Sequence, residues 1–358
     1  MFSTHSFSCL DSHLPEVPIS TRPSLFIVGP TATGKTRLAV SLARRFNGEI
    51  INADSRQVYR YMDIGTAKPT PEEQKQALHH LLDIPTPDQR FDLGSFLSLA
   101  RSIIEEIQGR GHLPMVVGGT GQYIWALLEG WEVPAAPPDP DFRNAKEQEA
   151  AHRGALALYR ELQEIDPQRA SELDPRNVRR VIRALEIYHT TQRKPSDYRK
   201  KAAQGLDSLI IGLTLDRGEL YRRIDQRVDQ MIQAGLLDEV RNLAGMGFQL
   251  GSGPLDSPGY RELGQYLTGE ITLEEAVQRA KYQTHQLARR QYAWFKLNDP
   301  RIHWLDASDP DLAEQAGSLV EGFSSRHPAC GTIDSQTTGT RGEGGLSDEV
   351  HQNARRGQ

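Results

Sequence analysis

The chain has 358 residues, of which 37% are hydrophobic and 25% charged, and its formal net charge is −5. This length and composition predict a globular protein of two domains with a large core. No apolar run reaches the roughly 18 residues that a membrane helix needs, and no charged-then-apolar segment opens the chain. The sequence therefore predicts neither a membrane span nor a secretion signal, and the expected location is the cytoplasm.

Cysteine content and local charge further narrow the class of protein that the sequence can encode. Cys9 and Cys330 lie near opposite ends of the chain, so neither a disulfide framework nor a cysteine metal site is expected. Residues 306–358 hold nine acidic residues against four arginines, a net charge of −5. The net charge of residues 1–305 is therefore zero, and the composition is compatible with a basic surface that binds nucleic acid.

Secondary structure is predicted between two polar segments, 1–23 and 324–358, that have no periodicity and are expected to be mobile tails. Apolar, β-branched runs predict strands at five places: 25–28, 49–52, 113–117, 209–215 and 302–305. Helical patterns alternate with these runs, notably at 93–108, which indicates βα units. The predicted fold class is α/β, with a mainly parallel sheet and helices on both faces.

Residues 29–36 read Gly-Pro-Thr-Ala-Thr-Gly-Lys-Thr and join the first predicted strand to a helical pattern. This is the G-x-x-x-x-G-K-[ST] phosphate loop in its proper setting, which makes the fold P-loop NTPase-like. Backbone N–H groups close around an anion, Lys35 reaches its oxygens, and the Thr36 hydroxyl can hold Mg²⁺, the predicted cofactor. The alternative is an ordinary glycine turn. The predicted binding residues are Gly29, Pro30, Thr31, Ala32, Thr33, Gly34, Lys35 and Thr36.

Two more segments are expected beside the phosphate loop. Asp54 follows the second strand and residues 118–120 follow the third. Because the carboxyl ends of parallel strands share one edge of a sheet, all three segments should meet at one cleft.

A helical insertion is predicted after the proline-rich segment 134–140, since about 65 residues show helical periodicity and no strand pattern. The pairs Asp166-Pro167 and Asp174-Pro175 each predict a helix start. The second helix carries arginines at i, i+3, i+4 and i+7: Arg176, Arg179, Arg180 and Arg183. Such a face either binds phosphates or is merely solvated.

Two later helices are predicted. One runs from about 218 to 236 and places Arg223 and Arg227 one turn apart, where they could meet an anion or solvent. The other begins at a capping box formed by Thr272 and Glu275 and ends near 296.

Further motifs carry a family resemblance. Residues 54–59 read Asp-Ser-Arg-Gln-Val-Tyr, and residues 62–69 read Met-Asp-Ile-Gly-Thr-Ala-Lys-Pro. Others follow at 79–84, 117–123, 183–186, 259–262 and 288–294. In this order they resemble the tRNA dimethylallyltransferases, also called tRNA isopentenyltransferases. The resemblance covers roughly residues 25–305 and leaves both tails outside.

The resemblance implies a reaction: transfer of a dimethylallyl group from its diphosphate to N6 of the adenosine just 3′ of the anticodon. The acceptors would be tRNAs that read codons beginning with U, diphosphate would be released, and no nucleoside triphosphate would be consumed. The phosphate loop would hold the donor diphosphate, Asp54 would be the general base, and Arg227 would contact the diphosphate. The implied catalytic residues are Asp54, Lys35, Thr36 and Arg227. A Mg²⁺-ordering role, as in P-loop kinases, and a helix cap remain alternatives for Asp54.

The resemblance also implies residues that contact the tRNA anticodon stem-loop. They are Asp54, Ser55, Arg56, Gln57, Thr120, Arg143, Arg179, Arg180, Val181, Ile182, Arg183, Asp256, Ser257, Pro258, Gly259, Tyr260 and Arg261. Pro258 departs from the family pattern, which commonly has an aliphatic residue there; a proline removes a backbone donor and stiffens the loop. The expected partners are tRNA and dimethylallyl diphosphate, and the expected state is a monomer.

The predicted organisation has five parts: an N-terminal tail (1–23), the first part of the P-loop core (24–136), the tRNA-binding insertion (137–205), the second part of the core (206–323) and a C-terminal tail (324–358). Three other functions stay open. They are a P-loop kinase of a small metabolite or nucleoside, an RNA-binding protein without catalysis, and prenyl transfer to free adenine nucleotides. The insertion argues against the kinase and the free-nucleotide transferase, because a small acceptor would not need it. The intact Lys35, Thr36 and Asp54 argue against an RNA-binding protein without catalysis.

Overall fold

The computed structural model describes residues 23–134, 136–199 and 206–326. The predictions for the tails at 1–22 and 327–358, including both cysteines, lie outside the described residues, as does the end of the insertion at 200–205.

Six parallel strands form one sheet: β1 (Ser24–Val28), β2 (Gly48–Asn52), β3 (His79–His80), β4 (Leu113–Val117), β5 (Ser208–Thr214) and β6 (Ile302–Asp306). Their order is β3-β2-β4-β1-β5-β6. In this register Ile27 of the central strand β1 lies between Val117 of β4 and Ile211 of β5. The five predicted strands are confirmed, and β3 is an edge strand that the sequence did not predict.

The helices of the described residues are α1 (Lys35–Arg45), α2 (Pro71–Gln76), α3 (Leu93–Gly109), α4 (Gly121–Leu128), α5 (Pro140–Arg153), α6 (Ala155–Ile165), α7 (Pro167–Ser171), α8 (Val178–Thr191), α9 (Arg217–Gln233), α10 (Leu236–Gly245), α11 (Tyr260–Leu267), α12 (Leu273–Trp294) and α13 (Leu312–Ser324). Within the described part of the chain, none combines the length and apolarity needed to span a bilayer.

Alternate residues of β1 enter two different hydrophobic clusters. Leu25 and Ile27 pack with residues of α1, α9 and α13, whereas Phe26 and Val28 pack with residues of α3 and α4. Successive side chains of a strand point to opposite faces of the sheet. Helices therefore cover both faces, which confirms the predicted P-loop-like α/β class.

The helices α5 to α8 pack around a cluster of their own. Asp166 caps α7 by accepting from the Arg169 amide at 2.9 Å, so this predicted start is confirmed. The predicted start at Asp174-Pro175 is wrong. Asp174 instead accepts from the amide of Arg176 and pairs with its guanidinium, and Asn177 caps α8 three residues later than Asp174.

Both later helices are present. The capping box of α12 is confirmed: the Thr272 hydroxyl accepts from the Glu275 amide, and the Glu275 carboxylate accepts from the Thr272 amide. Helix α9 ends at Gln233, earlier than predicted, because Gly235 has a φ of 100° and begins α10. Only glycine adopts this conformation freely.

Candidate active site

The phosphate loop leaves the carboxyl end of β1 and enters α1. The Lys35 Nζ donates to the Pro30 carbonyl at 2.7 Å, and the Thr33 hydroxyl donates to the same oxygen at 2.9 Å. A Cβ at Gly29 would lie 2.4 Å from the Leu213 carbonyl oxygen of β5, so close packing of the strands requires glycine there. Gly34 has a φ of 82° and directs the chain into the helix.

A cavity of about 760 Å³, the large cavity, opens over this loop. The phosphate loop contributes Thr31, Lys35 and Thr36 to its wall, and Asp54 contributes from the end of β2. The remaining polar wall includes Lys68, Arg223, Arg227 and Gln291. A second cavity of about 100 Å³, the narrow cavity, shares Asp54, Arg227 and Gln291 with it and is otherwise mainly apolar. Its apolar residues include Ile224, Val228, Met231, Leu236 and Leu287.

Two of the cations in the wall of the large cavity, Lys35 and Arg227, lie beside the phosphate loop. The Arg227 Nη1 lies 3.5 Å from the Thr31 hydroxyl, which accepts from it. Burial lowers the pKa of Lys35 to about 8; the Asp54 carboxylate opposes this shift and Arg227 adds to it. Burial also lowers the pKa of Arg227, against the attraction of Asp54. Because burial disfavours the charged forms of both side chains, an anion bound between them would be stabilised by, and would stabilise, their positive charges.

Asp54 follows β2, and its carboxylate is anchored on one side. Its Oδ1 accepts from the Arg56 amide at 2.8 Å and from the Gln57 amide at 3.4 Å. Its own amide donates to the Asn52 side chain at 3.1 Å. The other carboxylate oxygen, Oδ2, has no hydrogen-bond partner among the described residues. Asp54 thus caps a turn with one carboxylate oxygen and leaves the other available.

The segment after β4 packs directly on the Asp54 segment. The Ser55 amide donates to the Thr120 hydroxyl at 3.0 Å. A Cβ at Gly118 would lie 2.3 Å from the Ala53 carbonyl oxygen. The three segments expected at one cleft therefore do meet there.

Comparisons with known proteins identify the chain. The sequence model of the IPP transferase family matches residues 57–298, and that of isopentenyl transferase matches 24–84. The tRNA dimethylallyltransferase of Roseiflexus sp. (strain RS-1) is 50% identical over 298 residues, which cover 83% of this chain and 97% of the relative. The chain belongs to the IPP transferase family. The family resemblance predicted from the sequence is confirmed.

Solved structures of related proteins agree with this membership. The tRNA isopentenylpyrophosphate transferase of Bacillus halodurans is 40% identical with a TM-score of 0.63, covering 86% of this chain and 100% of its own. A eukaryotic dimethylallyltransferase whose structures were solved acting on tRNA is 30% identical with a TM-score of 0.75. Its alignment covers 86% of this chain and 80% of the other.

In this member of the IPP transferase family, two of the residues expected to contact the RNA also make hydrogen bonds within the site. Gln57 donates to the carbonyls of Thr66 and Ala67 at 3.1 and 3.0 Å. Tyr260 is fully buried and donates its hydroxyl to Glu239 at 2.5 Å, and burial raises its pKa. Both residues therefore fix the wall of the large cavity.

Glu239 is a site residue that the sequence analysis missed. Its carboxylate accepts from three successive amides, those of Asp63, Ile64 and Gly65, at 2.8 to 3.1 Å. Nothing in the local sequence of α10 distinguishes it from a surface glutamate, because its partners lie about 175 positions earlier in the chain.

The segment 256–261 lies beside the narrow cavity. Ser257, Pro258 and Gly259 form part of its wall. Arg261 pairs with Asp256 at 3.2 Å and with Glu262 at 2.8 Å. The arginine is thus oriented by two carboxylates.

The insertion residues that the structure describes, 137–199, do not line either cavity. Arg143 and Arg183 both pair with the buried Glu186; burial alone would raise the pKa of this glutamate, but their hydrogen bonds lower it to about 2. Arg179 and Arg180 are exposed. The side chains of Val181 and Ile182 are buried in the helical cluster.

The protein groups beside the phosphate loop fit a Mg²⁺ ion that takes most of its ligands from a bound diphosphate. Thr36 is half-buried and lies on the wall of the large cavity. Across the described ranges, no group of three or more His, Cys, Asp or Glu side chains is placed to hold a metal. Mg²⁺ bound to a diphosphate takes most of its ligands from phosphate oxygens and water, so one hydroxyl fits this mode.

Proposed function

We propose that the protein transfers a dimethylallyl group from dimethylallyl diphosphate to N6 of the adenosine 3′ of the anticodon, in tRNAs that read codons beginning with U. Family membership and the names of its relatives support prenyl transfer to tRNA. We further propose that the protein acts as a monomer and that it acts in the cytoplasm. The observation that carries the proposal is one cavity in which a phosphate loop, the half-buried cations Lys35 and Arg227, and the Asp54 carboxylate meet.

The donor would occupy both cavities. Its diphosphate would lie on the phosphate loop, within reach of Lys35 and Arg227, and its isoprenyl chain would enter the narrow cavity, whose apolar wall suits it. The allylic carbon becomes electrophilic as its bond to the diphosphate oxygen breaks. Fixed cations stabilise the negative charge that grows on the leaving group, so they act most strongly in the transition state.

Asp54 would remove the N6 proton. The amino nitrogen of adenine is a poor nucleophile because its lone pair is shared with the ring. As the N6–carbon bond forms, one N6 proton passes to the free oxygen of Asp54 and diphosphate departs, which balances the reaction. A positioned base of this kind contributes about 10²- to 10⁴-fold.

Mg²⁺ would bind at Thr36 together with the donor diphosphate. When bound, the ion neutralises charge on the leaving group. Removing it with a chelator is expected to weaken donor binding itself, which titration of the donor measures without turnover.

The tRNA would be held by the insertion and by the edge of the site. Adenosine must leave the anticodon stack to reach Asp54, at a cost of a few kcal/mol that contacts elsewhere must offset. The exposed Arg179 and Arg180 suit phosphate contacts. Arg143 and Arg183 would present the remaining faces of their guanidinium groups, whereas Val181 and Ile182 would support this surface by packing. Tyr260, which is buried in a separate cluster, would support the segment 256–261 at the edge of the site.

Nucleoside mass spectrometry tests the proposal. Unmodified tRNA is incubated with the protein, Mg²⁺ and dimethylallyl diphosphate, beside parallel reactions with adenosine monophosphate as acceptor. A dimethylallyl gain on tRNA adenosine and none on the mononucleotide is the expected result. Modification of the mononucleotide alone would instead assign the chain to prenyl transfer on free nucleotides. Consumption of ATP with a small acceptor would assign it to the kinases.

A further inference from the structure

Gln291 is a buried amide at the junction of the two cavities. It is 7% exposed and forms part of both walls. In the sequence it is one residue of the motif 288–294, and it has no role in the reaction proposed above. Buried polar side chains are almost always hydrogen-bonded, so the hydrogen-bond partners of Gln291 indicate its role.

Both ends of this amide are bonded to backbone. Its Oε1 accepts from the Thr31 amide at 2.8 Å, and its Nε2 donates to the Gly119 carbonyl at 3.1 Å. These partners lie 260 and 172 positions away in the chain. An apolar side chain of equal volume would leave a donor and an acceptor unsatisfied. The site therefore requires the amide group of Gln291 and not only its bulk.

The two partners of Gln291 lie on opposite sides of the proposed reaction: Thr31 on the donor side and Gly119 on the side of Asp54. Thr31 lies in the phosphate loop, where its hydroxyl accepts from Arg227. Gly119 directly precedes Thr120, whose hydroxyl accepts from the amide of Ser55, the neighbour of Asp54. One side chain thus ties the phosphate loop to the segment after β4, which in turn packs on the segment that carries Asp54.

The surroundings of Gln291 leave it little freedom. A Cβ at position 119 would lie 2.1 Å from its Nε2, so Gly119 provides the space that the amide occupies. The end of the same helix is anchored again, because Trp125 donates its indole N–H to the Trp294 carbonyl at 2.9 Å. Side chains locked by packing and hydrogen bonds are those that can hold a reactive geometry.

We propose that Gln291 is a positioning residue that sets the distance between the allylic carbon of the donor and N6 of the acceptor, an inference that rests on the proposed function. Both hydrogen bonds of the amide go to the backbone of the site, so neither is needed to bind the donor or the tRNA. Its loss should therefore lower kcat and leave both KM values nearly unchanged.

The variant Gln291→Met keeps the volume and removes both hydrogen bonds. The expected result is a fall in kcat of about 10²-fold, the size of effect that a misplacement of about 1 Å can cause. Gln278→Met, on the exposed part of the same helix, is the matched control and should keep the wild-type kcat. Wild-type kcat in Gln291→Met, or a loss confined to KM, would overturn the inference.

Gly119→Ala disturbs the same bonds from the other side and keeps the test open if Gln291→Met does not fold. Alone it should lower kcat, because the added methyl group displaces the amide. The double variant Gly119→Ala/Gln291→Met should lose little more than either single variant, since both remove the same contacts. Independent, multiplicative losses would contradict the inference. If the wild type transfers nothing to tRNA, the proposed function fails first, whereas wild-type transfer with unimpaired variants contradicts the positioning role alone.

Discussion

Lys35 and Arg227 illustrate how single residues acquire their chemistry from their surroundings. Both are cations, and burial disfavours their charged forms. Asp54 supplies one compensating negative charge from the end of β2. A diphosphate would supply more, and would restore the charged form of the lysine. The same two side chains can therefore bind a donor and stabilise the charge on its leaving group.

Donor binding should weaken as the pH rises through about 8. Burial lowers the pKa of Lys35 from 10.5 to about 8, so the ammonium is charged below this pH and increasingly neutral above it. Because the diphosphate favours the charged form, binding above pH 8 should take up one proton. Calorimetric titration of the donor in two buffers of different ionisation enthalpy measures this uptake.

The control for this pH dependence is Lys35→Arg, whose guanidinium stays charged over the same range. Its donor affinity should lose the dependence on pH. Wild-type affinity that stays constant between about pH 7 and about pH 9.5 would contradict the account.

At the scale of elements, the start of α8 separates two kinds of arginine. Arg176 is held by Asp174 at 2.8 Å, and Arg183 is held by Glu186. Arg179 and Arg180 are exposed and have no carboxylate partner among the described residues. Only the latter two have guanidinium groups whose full donor set is available to phosphates.

Replacing Arg179 or Arg180 by alanine should weaken tRNA binding and leave donor binding unchanged. Each lost phosphate contact should reduce the salt slope of the tRNA affinity by about 1, because fewer counterions are released. Arg176→Ala changes the charge equally and is the control. Filter binding across a salt series measures the slopes. Equal slopes in all three variants and the wild type would show that this face does not meet RNA.

At the scale of the whole molecule, an ion cluster lies at the amino-terminal ends of the strands, opposite the cavities. Glu49 of β2 is 4% exposed and accepts from Arg110, His80 and His112. Burial alone would raise the pKa of Glu49, but these hydrogen bonds outweigh it and lower the pKa to about 2. The cluster joins β2 to β3 and to the segment between α3 and β4.

Glu49 should make the fold sensitive to acid. Its folded-state pKa lies below the ordinary value of 4.5, so its contribution is complete above pH 4.5 and is lost as the pH falls from about 4.5 to about 2. Glu49→Gln should lower the free energy of unfolding by about 1–3 kcal/mol at neutral pH and by less in acid. Denaturant titrations at several pH values measure this difference, with the exposed Glu105→Gln as control. A difference that stays constant with pH would contradict the assignment.

The sequence predicted the parts of the protein that local patterns determine. The five strands could be predicted because β-branched runs such as 25–28 are buried on both faces of the sheet. The phosphate loop and Asp54 could be placed because loops at the carboxyl ends of parallel strands converge. Strand β3 could not, since two histidines have no periodicity and only their pairing with Ile50 and Ile51 makes them a strand.

Longer-range contacts explain the other differences. The start of α8 was placed too early because Arg176 competes for the carboxylate expected to cap the helix. Gln291 and Glu239 could not be assigned from sequence, because their hydrogen bonds reach across 172 to 260 positions. Local patterns do not encode such contacts.

The most direct test of the account compares the wild type with Asp54→Asn in a single turnover on tRNA, with donor affinity measured on the same samples. We expect the variant to bind dimethylallyl diphosphate and to transfer it about 10²- to 10⁴-fold more slowly, since asparagine cannot take the N6 proton. The wild-type product should carry the dimethylallyl group on the adenosine 3′ of the anticodon. An Asp54→Asn variant that transfers the group at the wild-type rate would contradict the central claim.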